Sequence, residues 1–316
     1  VAQTTGAGLS LMPQKPPEVR PMPADPKQPA FRTLDYAVAD GIATATFNRP
    51  EKMNTFNGAM MDDLLRLFDV TDADDDVRAV IVTGSGRAFC AGADLESGGD
   101  TFDFDKRVGI RDQVAGVHRD GGGQVTLRIF DSLKPVISAV NGAAVGVGAT
   151  MQLAMDIRMA SNNARFGFVF ARRGITPEAA SSWFLPRLVG MQTALEWVYT
   201  GRVFNADEAL ARGLVRSVHA PDDLLPAARA LAREIADNAA PVSVAMARQM
   251  LWRLQAEDHP MAAHRIDSRA IVSRGRSSDV EEGIKAFLEK RPAQFANTVS
   301  ADMPDVYPWW PEPKFL

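Results

Sequence analysis

Lys134-Pro135-Val136-Ile137-Ser138-Ala139-Val140-Asn141-Gly142-Ala143-Ala144-Val145-Gly146-Val147-Gly148-Ala149-Thr150 is the stretch that decides how this chain folds. Val136 to Val140 run without polar alternation into Asn141-Gly142, the pattern of a short strand buried on both faces. Helical spacing follows from Val147 to Met155, so a strand hands over to a helix through Gly142, Gly146 and Gly148. The first amides of a helix have no partner inside it, and the aligned peptide dipoles favour negative charge there. A phosphate loop would need Lys and then Ser or Thr after the glycines, where this chain has Ala149-Thr150. The order Gly142-x-x-x-Gly146-x-Gly148 is also wrong for a dinucleotide fingerprint.

Upstream, Ala79-Val80-Ile81-Val82-Thr83 is a second buried run, and Ala91-Gly92-Ala93-Asp94-Leu95 follows it after a glycine-containing link. Glycine there lets the main chain approach a ligand and leaves amides free to point at it, although a plain turn before a helix capped by Asp94 uses the same residues. Asp40-Gly41 joins Ala37-Val38 to Ile42–Phe47 as a hairpin, and Met60, Leu64, Leu65 and Phe68 recur at helical spacing. Downstream, Ile157 to Ala160 closes the series, so strands and helices alternate as in an α/β core with a largely parallel sheet.

After Pro186 the pattern turns helical, in segments 194–199, 206–212, 224–238, 242–255 and 280–290 separated by Gly or Pro. These are expected to form a helical layer and a subunit interface. The stretch from Phe102 to Gly123 is mixed in charge and ends in Gly121-Gly122-Gly123, which reads either as a mobile segment over a cleft or as an ordinary surface excursion. The proline-rich start reads as an extension outside the core. The predicted organisation is therefore 1–32 extension, 33–200 α/β core and 201–316 helical region.

With 316 residues, 46% of them hydrophobic, the chain can bury a sizeable core. A formal net charge of -4, with Lys and Arg scattered, gives no footprint for a nucleic-acid backbone. Cys90 is the only cysteine, which excludes an intrachain disulfide and fits a reducing cytoplasm. His118 and His219 lack acidic or cysteine neighbours at ligand spacing, so no metal is expected. No apolar run reaches the ~18 residues of a membrane span, and no secretory signal is read at the N-terminus.

Several pieces occur in one order: Asn48-Arg49-Pro50-Glu51-Lys52-Met53-Asn54, then Gly84 to Leu95, then Lys134 to Gly142, then Leu185-Pro186-Arg187-Leu188-Val189-Gly190, then Phe287-Leu288-Glu289-Lys290-Arg291. Together, over roughly 33 to 295, they resemble the crotonase, or enoyl-CoA hydratase/isomerase, superfamily. The resemblance implies an α/β fold with a crotonase-like ββα-repeat core and a C-terminal helical layer. It implies an acyl-CoA thioester substrate, no separate cofactor, and a homotrimer or dimer of trimers. It maps the two amides that hold the thioester oxygen onto Ala93 and Val147. Coenzyme A contacts map to the vicinity of Lys52, Asn54, Ala91, Asp94, Leu95 and Gly146, with Lys290 or Arg291 reaching its phosphates from the far end of the chain.

The two glutamates with which hydratases of this family add water align with Thr150 and Phe170, and neither residue can hold a proton at neutral pH. Glu178, in Gly174-Ile175-Thr176-Pro177-Glu178-Ala179-Ala180-Ser181-Ser182, stands where the isomerases resembled carry a single carboxylate. A lone carboxylate can move a proton between C2 and C4 of an enoyl chain. Burial against Phe168, Phe170 and Trp183 is expected to raise its pKa; the plain alternative is that Glu178 caps a helix. Thr150 is expected to orient water or substrate, or simply to bond locally. Arg172 and Arg173 read as phosphate contacts, partners of Glu178 or surface ion pairs, and Trp309-Trp310 as an arm on a partner subunit. Hydration, thioester hydrolysis or carbon–carbon cleavage, and a non-catalytic CoA-binding subunit are the rival functions.

Overall fold

Residues 30–96, 98–103, 113–114 and 117–315 are described by the structure, a computed structural model. Around Asp40-Gly41 the hairpin forms as expected: β1 (Leu34–Ala39) pairs antiparallel with β2 (Ile42–Phe47), and the turn residues take φ 53° and 74°. A two-residue hairpin loop needs both in the left-handed region. Then come α1 (Gly58–Ala73), β3 (Ala79–Gly84), β4 (Ala88–Cys90), β5 (Gln113–Val114), β6 (Val117–His118), α2 (Gly121–Asp131), β7 (Val136–Val140), β8 (Ala143–Val145) and α3 (Val147–Thr150). The chain continues through β9 (Ile157–Ser161), β10 (Arg165–Gly167), α4 (Ser181–Val189), α5 (Met191–Thr200), β11 (Val203–Asn205), α6 (Ala206–Ala211) and β12 (Ser217–His219). Four helices close it: α7 (Pro221–Asn238), α8 (Pro241–Arg253), α9 (Pro260–Arg274) and α10 (Ser278–Glu289).

The longer strands make a six-stranded sheet in the order β1-β2-β3-β7-β9-β12, parallel from β2 onward. The short ones make a four-stranded sheet in the order β11-β10-β8-β4. Each unit thus runs long strand, short strand, helix, as β3-β4-α2, β7-β8-α3 and β9-β10-α4, which is the expected ββα repeat. The large sheet is covered on both faces. Ile81, Ile137 and Ala139 pack with Leu224, Ala228 and Ala232 of α7, whereas Val80, Val82, Val136 and Val140 face the main core. Burial on both faces is why these strands read as unbroken apolar runs. Beyond residue 200, β11 and β12 extend the two sheets.

Several expectations need correcting. Gly121-Gly122-Gly123, expected in a loop, opens α2, whose cap, Asp120, accepts from the Gly123 amide. Residues 104–112 and 115–116 of that segment lie outside the described residues, as do 1–29 of the predicted extension. Within the rest of that extension, Arg32 pairs with Asp62 on α1 at 2.9 Å. Trp309 packs with Met246, Ile266 and Ala270, and Arg253 lies 3.5 Å from the centre of the Trp310 ring, so the tail docks on its own α8 and α9. Among the described residues no helix is long and apolar enough to cross a membrane.

Candidate active site

The two glycine turns predicted to bind an oxyanion follow β4 and β8, which are parallel neighbours in the small sheet. Main chain packs on main chain between them. A Cβ on Gly148 would stand 1.9 Å from the Cys90 carbonyl oxygen, and one on Gly92 would stand 3.2 Å from that of Val145. Gly92 has φ 111° and Gly146 φ 54°, so both take a backbone that side chains disfavour. On either side of Ala93 the main chain is engaged, the Asp94 amide donating to Phe56 O and the Gly92 carbonyl accepting from Phe56 N. Around Val147, Gly146 N donates to Gly167 O, and Ala149 N and Thr150 N donate to Gly146 O. Neither the Ala93 nor the Val147 amide has an acceptor among the described residues. Two unspent donors at adjoining turns, one of them at a helix start, can stabilise an anionic oxygen.

Glu178 is brought to the same place. Thr150, fully buried in α3, donates its hydroxyl to Glu178 Oε1 at 2.5 Å. Glu178 Oε2 rests over Gly122, where a Cβ would stand only 2.0 Å away. Burial, with Asp120 alongside, pushes the Glu178 carboxyl up to about 7 even though the Thr150 bond pulls the other way. The polar neighbours on the carboxyl are Thr150 and the head of α2. Phe168 stacks with Trp197 and Phe204, and Trp183 meets Phe130 and Phe184 edge-on. Glu178 is not a helix cap, since α4 starts from Ala180 without a side-chain cap bond. Nor is it an ion-pair partner: Arg172 donates to Thr200 O and Arg173 to Val169 O.

Comparison with known proteins identifies the family. The family model described as enoyl-CoA hydratase/isomerase matches residues 37–298. The chain belongs to the enoyl-CoA hydratase/isomerase family. An enoyl-CoA hydratase of Alternaria alternata is 42% identical over 267 residues, 84% of this chain and 86% of that protein. The 1,2-epoxyphenylacetyl-CoA isomerase of Escherichia coli is 33% identical over 82% of this chain and 96% of its own length. The crystal structure of an enoyl-CoA hydratase from Bacillus anthracis superposes with TM-score 0.73 and 29% identity, covering 84% of this chain and 99% of that one. The protein is thus an enzyme of the crotonase superfamily, a family that acts on CoA thioesters.

The remaining family positions fall into two groups. Near the first turn, Asn54 is fully buried and its side chain is spent on Arg49 N, Ser85 O and Ala88 O, so it clamps the loop. Ala91 N donates to Met53 O, Lys52 pairs with Glu96, and Leu95 is half exposed. Asp94 pairs with Arg49 at 3.1 Å; burial raises its carboxyl, but the Arg49 bond and charge outweigh that and hold it below its ordinary range. Gly146 and the buried Phe170 lie on the β8–β10 side. Elsewhere, Lys290 ends α10 with φ 56°, and the polar bonds of α10 run to Arg274 and residues 294–297. Lys290 is thus not gathered with the glycine turns in one chain, and Arg291 is paired with Glu282 and Glu289. The sequence reading missed Asp120, whose only local signal is its place before a glycine triplet.

Proposed function

We propose that the enzyme isomerises the double bond of an enoyl-CoA, with Glu178 moving the proton and the amides of Ala93 and Val147 holding the thioester oxygen. The observation that carries this reading is the 2.5 Å bond from Thr150 to Glu178. It sets the Glu178 carboxyl beside the helix that starts at Val147, next to Thr150, which stands where a hydratase of the family holds its first glutamate. The second hydratase position is Phe170, which is 4% exposed and cannot titrate. Ionised Glu178 takes a proton from C2 of a 3-enoyl thioester, and the C–H electron pair passes into a dienolate whose oxygen lies on the two amides. Returning the same proton to C4 gives the conjugated 2-enoyl thioester with no atom gained or lost. A donor of this kind lowers the barrier by about 3 kcal/mol. A carboxyl with pKa near 7 serves equally as base and as acid at neutral pH.

Hydration is the second reading, favoured by the 42% identity to the Alternaria enzyme, which is named a hydratase. Supplying 3-enoyl-CoA and 2-enoyl-CoA separately, and following conjugated-thioester absorbance, 3-hydroxyacyl-CoA and free thiol, separates isomerase, hydratase and hydrolase. Isomerisation requires conjugated thioester to appear from the 3-enoyl substrate without 3-hydroxyacyl product. Appearance of the hydroxyacyl product at comparable rate would hand the assignment to hydration.

Self-association is part of the proposal. Ile271 and Val272 on α9, and Ile284, Phe287 and Leu288 on α10, are 55–81% exposed. Large apolar side chains gathered in this way mark a contact surface, here taken to be that of a homotrimer or a dimer of trimers. The cytoplasm is the proposed compartment, in keeping with the single buried thiol, Cys90.

A further inference from the structure

Directly before α2, Asp120 carries a second carboxylate on the Glu178 side of the site, where it adds to burial in raising the Glu178 carboxyl. Its Oδ1 accepts from Gly123 N at 2.5 Å and from Ala179 N at 3.2 Å. The second bond crosses from α2 to the residue next to Glu178. Ala179 and Ala180 have φ 57° and 52°, a left-handed pair that costs non-glycine residues on the order of 1 kcal/mol each and persists only where surroundings enforce it. Asp120 supplies one such constraint. Gly122 supplies another, because only a residue without a Cβ leaves room for Glu178 Oε2.

We infer that Asp120 is a positioning residue for Glu178: it pins the backbone that presents Glu178 and sets a second carboxylate beside the one that moves the proton. Burial first, and then Asp120 beside it, makes Glu178 the stronger base. The other groups facing Glu178 do not compete for this role. Thr150 from α3 is uncharged, Cys90 from β4 is a buried thiol pushed up to about 12, and the Arg119 guanidinium lies over the Phe315 ring, 5.4 Å from its centre. The inference deepens the isomerase reading and rests on it, but the state of the pair can be measured without turnover.

The experiment compares Asp120→Asn, which keeps an acceptor for both amides and removes the charge, with Asp120→Ala, which removes both. The Glu178 carboxyl is followed by carbon NMR of glutamate-labelled enzyme, its signal assigned by loss in Glu178→Gln, and kcat/KM for 3-enoyl-CoA is recorded against pH. In Asp120→Asn the Glu178 midpoint and the rising limb of the rate profile are expected to fall together by about one pH unit. The plateau rate is expected to drop about three- to tenfold as the base weakens. Asp120→Ala is expected to show the same shift with a further loss of rate, since the Ala179 anchor is gone. An unmoved Glu178 midpoint in Asp120→Asn, or a uniform fall in rate at an unchanged midpoint, overturns the inference. Full turnover in Glu178→Gln would sink the isomerase reading instead, and the NMR midpoint would still report whether the two carboxyls are coupled.

Discussion

The glycine-lined face at the ends of β4 and β8 and the outer face of α9 and α10 are built on opposite terms. On the first, main chains touch main chains, and a single methyl at Gly148 meets a carbonyl oxygen at 1.9 Å. On the second, Phe287 is 81% and Leu288 73% exposed, with no cover from the described residues. Backbone contact sets the site, with side chains excluded so that amides remain free. Side-chain surface sets the outer helices, with little backbone constraint. Substitutions on the two faces should therefore fail in different ways.

The largest effect is expected at Gly148. The obstructing atom of Gly148→Ala is backbone, so the turn must move as a whole, with a loss of about 3 kcal/mol or more in stability and no measurable turnover. Urea unfolding and the 3-enoyl-CoA assay check both. Gly122→Ala sharpens the contrast, because there the obstructing atom is Glu178 Oε2, the far end of a flexible side chain. The fold is expected to survive within about 1 kcal/mol while kcat falls by about two orders of magnitude as Glu178 is displaced. Equal loss of stability in the two variants would erase the distinction.

Glu178 tests the same face through pH. Its folded pKa, about 7, lies above the ordinary carboxyl value of 4.5, so the folded state holds the proton more tightly than the unfolded one. The stability it contributes is complete below about pH 4.5 and is lost as pH rises through 7. Glu178→Gln cannot ionise. It is therefore expected to exceed the parent by about 2–3 kcal/mol at pH 8, a gain that fades by pH 5, in urea melts taken at both. Such a gain, paired with lost turnover, is the behaviour of a site held against its own electrostatics.

Legibility in the sequence followed the same division. β3, β7 and β9 were readable because burial on both faces leaves continuous apolar runs, whereas β4, β8 and β10 have three residues each, too few for any period. Helix α9 escaped because Ile271 and Val272 lie on its exposed side while Ile266 and Ala270 are buried, which blurs the apolar stripe. Glu178 could be singled out by its place in a motif, and Thr150 and Phe170 by what they replace. The pairing of Asp120 with Glu178 spans distant parts of the chain and leaves no local pattern. Gly121-Gly122-Gly123 suggested mobility, yet a Cβ at each would meet Met61 Sδ, Glu178 Oε2 or Asp120 Oδ2 within 2.9 Å. Those glycines answer to close approach, which composition cannot distinguish from flexibility.

The smallest expected effect on folding, and the clearest test of the outer face, lies at Phe287. The side chain is 81% exposed, so replacing it by Ser removes little buried area within one chain. The stability of the isolated chain should then change by no more than about 0.5 kcal/mol. If α10 meets another copy, the same substitution withdraws an aromatic anchor from that contact, and such anchors carry a large share of binding energy. Sedimentation velocity of Phe287→Ser is expected to shift the population toward monomer with the intrinsic melt nearly unchanged. Exposed residues that matter only between chains must show this dissociation. A monomeric parent, or an assembly indifferent to Phe287, would mean that the apolar face of α10 serves some other contact and that the two faces differ in packing alone.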